Sequence, residues 1–151
     1  MNKRIQTSLI LLAAITLLVL LLDFLSRRQP EKLDESQRQA VLVYADPIAD
    51  RLTAAIIAGD YESAAQGFGD ALQKQFTRSD FDAIVQQWAS YGELDSRQVQ
   101  EILFEKGKMV VYYRLVFTNT RLDMRLVIDP SRPHRLLGLA FRTPSAVTPT
   151  P

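Results

Sequence analysis

From Ile5 to Leu22 the chain carries no charged side chain, and Leu9 to Leu22 is its purest apolar stretch. As a helix this run rises about 27 Å, and Phe24 and Leu25 extend it toward the ~30 Å of a hydrocarbon core. Lys3 and Arg4 precede it; Asp23, Ser26, Arg27 and Arg28 follow. A cleaved signal peptide needs a shorter apolar region ending in a small-x-small site. Ala13 and Ala14 lie too early to serve as one. The pattern therefore predicts an uncleaved membrane anchor over residues 1–25 rather than a signal peptide or a buried soluble helix. Cations flank both ends, so orientation rests on the short N-terminal tail, which more readily stays inside than crosses. The expectation is a single-pass protein of the cell membrane with its domain outside the cytoplasm.

The rest of the 151 residues suffices for one ordinary domain. A net charge of +1 without a basic stripe argues against nucleic acid as a partner. The absence of cysteine excludes a disulfide framework, thiolate metal sites and thiol catalysis. Residues 26–45 are polar and charged apart from Val41 to Tyr44 and read as a partly helical stalk. Residues 143–151 hold three prolines among small residues and are expected to be disordered.

Between these lies a domain at 46–142. Asp46-Pro47 reads as a cap and first turn, after which Ile48, Leu52, Ala55 and Ile56 recur at helical spacing until Gly59. Asp60 caps a second helix with Tyr61, Ala64, Ala65, Phe68 and Leu72 on its apolar face; Gly67 and Gly69 weaken it or break its end. Thr77 and Asp80 form a capping box for a third, with Phe81, Ile84, Val85 and Trp88 inward. Past Gly92 the period changes to two, predicting strands at 97–105, 109–118, 121–129 and 134–142. A two-residue turn at Asn119-Thr120 pairs Phe117 with Leu122, Leu115 with Met124, Tyr113 with Leu126 and Val111 with Ile128 on an apolar face. On the other face it sets Arg114 opposite Arg125.

The predicted fold class is α+β: a transmembrane helix, then three helices packed on a curved antiparallel four-stranded sheet. At this point the domain resembles the nuclear transport factor 2-like, cone-fold superfamily, nearest to the bacterial family known as domain of unknown function 3887. The residues carrying the resemblance are Ala58-Gly59-Asp60-Tyr61, Phe76-Thr77, Trp88 with Gly92, and Leu139-Ala140-Phe141. It covers about residues 46–142 and implies a concave pocket between sheet and helices, with association through the outer sheet face in many relatives. Fold alone assigns no function.

Catalysis is not expected. The single histidine, His134, reads as a turn residue, and Asp46, Asp80 and Asp82 as carboxylates at or near helix N-termini. Asp46 and Asp50 are one helical turn apart, but no phosphate loop, nucleophile motif, metal site or cofactor is indicated. The pocket candidates are Trp88, Gln100 and Tyr113. If Lys106-Gly107 is a two-residue turn, Gln100 falls opposite Tyr113 and Gln98 opposite Leu115, where buried amides on an apolar wall suit a small apolar ligand. A bulge in that strand turns both glutamines outward instead. The docking candidates are Arg114 and Arg125, like charges whose opposition destabilises the strand pair, with Glu101 and Asp123 as diagonal neutralising neighbours. They suit a solvated charge lattice, or a surface for an acidic protein partner or a second copy.

Two functional readings follow. One is a membrane-anchored, extracytoplasmic, non-catalytic binding or interaction module, attached through residues 5–25. The other is a structural subunit of a membrane assembly, in a layout similar to bacterial secretion-channel components of the VirB-eight type.

Overall fold

A computed structural model describes residues 31–144. The expected anchor, the first part of the stalk and the tail beyond Pro144 lie outside the described residues. Among the described residues no helix is long and apolar enough to cross a membrane.

The first helix, α1, spans Glu35–Ala58 and starts well before the expected cap at Asp46. Its true cap is Asp34. Gln37 N–H donates to Asp34 Oδ1 at 2.8 Å, and Asp34 N–H donates to Gln37 Oε1 at 2.9 Å, a reciprocal capping box. Pro47 therefore sits inside the helix, where a proline costs about 3 kcal/mol through its missing donor and its clash with the preceding turn. Packing outweighs that cost. Val41 and Ala45, upstream of the proline, are buried in the same core as Ile48, Ala49, Leu52 and Ile56, so stopping the helix at Asp46 would strip the core of two side chains. Gly59 ends α1 at φ 69°, and its N–H bonds back into the last turn.

The expected second helix is two short ones. α2 spans Tyr61–Ala65, capped by Asp60, and α3 spans Asp70–Gln75. Between them Gly67-Phe68-Gly69 runs beside the last strand: Leu136 N–H donates to Gly67 C=O and Gly69 N–H to Leu136 C=O, both at 2.8 Å. A side chain at Gly69 would meet Leu137 at 2.9 Å, so glycine permits this close approach. The helix α4, Arg78–Ala89, opens on the predicted Thr77–Asp80 box and buries Phe81 and Trp88.

The fold class is α+β: helices followed by an antiparallel meander of β2 (Leu94–Glu105), β3 (Lys108–Phe117), β4 (Arg121–Ile128) and β5 (Leu136–Arg142). A two-residue strand, β1 (Glu31–Lys32), adds to the free edge of β2. The sheet is neither closed nor strongly curled, in contrast to the curved sheet expected. Helices and inner sheet face share one core, in which Val111, Tyr113, Leu115, Met124, Leu126 and Ile128 are completely buried. The alternation predicted for β3 and β4 holds, but the register differs by two residues. The turn is Thr118-Asn119, closed by Phe117 N–H on Thr120 C=O at 2.8 Å. Leu115 accordingly pairs with Leu122, Tyr113 with Met124 and Arg114 with Asp123.

Candidate functional site

The expected pocket residues do not form a pocket together. Between Val99 and Glu101 the β2–β3 register slips by one, and Gln100 is the extra residue of a bulge. Val99, not Gln100, then pairs with Tyr113, and Arg97 pairs with Leu115. Gln98 and Gln100 are both exposed. The bulge exchanges the faces of the residues preceding it, so the arginine moves inward and the amides outward. Trp88 is buried, with its ring edge-on to Phe117 and Phe141 at 5.2 Å from each. It packs as a core residue.

Tyr113 is fully buried, and its hydroxyl donates to Asp46 Oδ1 at 3.0 Å. Arg97 reaches the same oxygen through Nη1 at 2.7 Å and Asp50 Oδ1 through Nη2 at 2.7 Å, while its guanidinium lies 4.6 Å above the Tyr113 ring. Burial, then the charge and hydrogen bond of Asp46, push the Tyr113 hydroxyl far above its ordinary pKa, so it stays a donor. Burial alone would lower Arg97, but the two carboxylates outweigh it and raise its pKa. The expected cap Asp46 and its neighbour Asp50 are thus mid-helix anchors for an arginine on the sheet. Both are engaged by a cation, which suits a clamp between α1 and β2 better than a metal. Among the described residues every buried side-chain polar atom has a partner.

On the outer sheet face the arginine pair is resolved by the register. Arg114 faces Asp123 and binds it through Nε at 2.9 Å and Nη2 at 3.3 Å. Arg125 faces Tyr112 and donates to its hydroxyl at 3.2 Å, with Glu105 4.0 Å away. Glu101 is exposed and pairs with Tyr112. Asp123 is therefore the direct partner of Arg114 rather than a diagonal neighbour. Beside this lattice is a hollow of about 310 Å³ with Val110, Val127 and Leu137 as apolar lining, rimmed by Glu105, Lys106, Lys108 and Arg125.

A second concavity, of about 400 Å³, lies between α1, the α2–α3 link and the entry to β5. Tyr44 and His134 stack in parallel at 3.9 Å, and His134 Nδ1 is 3.2 Å from the Asp129 carbonyl. His134 thus closes its turn half-buried, with its ring stacked on Tyr44 of α1. No sequence spacing signals this groove, because its walls come from three separate segments.

Searches against protein-family models, curated proteins and solved structures find no match for this chain.

Proposed function

We propose that this chain is a non-catalytic binding module held at a membrane by residues 5–25, with its domain on the extracytoplasmic side, docking an acidic protein segment on the outer face of its sheet. One observation carries the docking reading: after internal pairing, that face keeps a cationic surplus around an apolar floor. Asp123 is consumed by Arg114. The strands still present Lys108, Arg121, Arg125 and Arg142 against Glu101 and Glu105. Val110 at the floor is 1% exposed, and Val127 and Leu137 flank it. An apolar centre with a charged rim is how protein interfaces are built, and the sign of the rim selects an acidic partner. The apolar run beside Lys3 and Arg4 supports the tether.

The test is fluorescence anisotropy with a labelled Glu/Leu-rich peptide and the full chain in neutral detergent. Expected are saturable binding, weakening as salt rises, and its loss in Lys108→Ser/Arg125→Ser. Binding that ignores both substitutions, or no binding, would overturn the docking reading. A stoichiometric self-complex abolished by the same substitutions would assign the face to a second copy instead. Protease protection of the domain in sealed vesicles tests the orientation.

A further inference from the structure

The groove between α1 and β5 shares no lining residue with the outer-face hollow, and its chemistry is different. Among the described residues its charged lining is Arg51 and Arg135, with no carboxylate. Arg51, on α1, has no ion-pair partner among the described residues, and Arg135 is tied only to the Phe68 carbonyl, at 3.3 Å. By contrast, Arg97 holds two carboxylates and Arg114 one. Both are exposed at one concavity, so an anion lodged there meets two charge-assisted donors at once.

The rest of the lining gives the ligand a body as well as a charge. Val43, which is 77% exposed, joins Pro47 and Ile48 as an apolar wall, and the Tyr44–His134 stack forms an aromatic edge. Gly67 lies under the Arg51 guanidinium so closely that a Cβ there would collide with it, the nearest approach being to Nη2. The Arg51 pose therefore requires glycine at 67. The volume, about 400 Å³, falls in the range of small-molecule sites.

We infer that this groove binds a phosphate monoester carried on a small apolar or aromatic body, the phosphate held by Arg51 and Arg135 and the body laid against Val43, Pro47 and the Tyr44–His134 stack. Two guanidiniums match the charge of such a group, about −1.5 to −2 at neutral pH, and each suits its bidentate geometry. The phosphate can come from a soluble ester or from a lipid headgroup.

His134 is the only histidine in the chain, so its ring proton signals report the groove without assignment. The experiment titrates phenyl phosphate into the full chain in neutral detergent and follows that signal by NMR, with phenol as the uncharged control. Expected is a saturable shift with phenyl phosphate, none with phenol, and affinity lower by about tenfold or more in Arg51→Ala and in Arg135→Ala. Gly67→Ala, which forces Arg51 aside, is expected to weaken binding while leaving the circular dichroism of the free protein unchanged. Competition by nanodiscs containing phosphatidic acid would assign the headgroup source, and its absence the soluble one. No saturable shift at millimolar phenyl phosphate, or a shift unaltered in Arg51→Ala/Arg135→Ala with an unchanged fold, would overturn the assignment.

Discussion

Tyr113, fully buried at the centre of β3, places its hydroxyl 3.0 Å from Asp46 Oδ1 in the middle of α1. The helix that runs through Pro47 is thus pinned to the sheet by a side chain that lies just before the proline. Arg97 closes the arrangement from β2.

Tyr113→Phe removes one hydrogen bond but leaves Asp46 with Arg97, and is expected to cost about 0.5–1.5 kcal/mol. Asp46→Ala leaves the Tyr113 hydroxyl buried without its acceptor and takes one carboxylate from Arg97. It is expected to cost more, about 1–3 kcal/mol. Urea denaturation of the two variants checks the order; equal costs would show that the hydroxyl finds another partner.

Trp88 meets Phe117 and Phe141 edge-on inside the core. Trp88→Ala is expected to destabilise by about 3–5 kcal/mol, as truncation of a buried aromatic does. A thermal shift of a few degrees or less would mean the ring borders open space instead.

Gln100 is exposed at a bulge. Gln100→Leu is therefore expected to change stability by less than about 0.5 kcal/mol, the usual range for a surface site. A large gain or loss in chemical denaturation would place the side chain in the interior.

The Asp80 carboxylate is held below its ordinary pKa of 3.8 by hydrogen bonds from the Thr77 hydroxyl and then the Thr77 backbone; Asp60 is lowered likewise by Ser63. Groups with a depressed folded pKa stabilise fully above the unfolded value, and that contribution fades as pH falls through the folded one. Both caps therefore add stability near neutrality that is lost below about pH 4. Melting temperatures followed down to about pH 2.5 are expected to fall less steeply in Asp80→Asn than in the parent. An identical acid limb would assign the loss to other carboxylates.

The features legible in the sequence are the local ones. The Thr77–Asp80 box and the Gly59 stop are written in neighbouring residues and need no distant contact. The inward set of β3 and β4 was legible because a face alternates with period two whatever the partner. That same rule hides the register. A shift of two residues keeps every side chain on its face, so alternation cannot distinguish Arg114 opposite Arg125 from Arg114 opposite Asp123. The second arrangement goes with a turn anchored from afar, in which Thr118 N–H bonds the Glu93 carbonyl and Asn119 N–H the Tyr91 carbonyl.

By itself, then, the sequence determined the class of the fold, the caps at Asp60 and Thr77 and the faces of β3 and β4, since each follows from short-range periodicity and hydrogen bonding. Tertiary structure decided where α1 begins, because burial of Val41 and Ala45 outweighs the local signal of Asp46-Pro47. It decided the bulge at Gln100, which turns Arg97 inward to two carboxylates on a helix. It also assembled the groove of Tyr44, Arg51, Gly67, His134 and Arg135, residues far apart in the chain that meet only when α1 packs against the entry to β5.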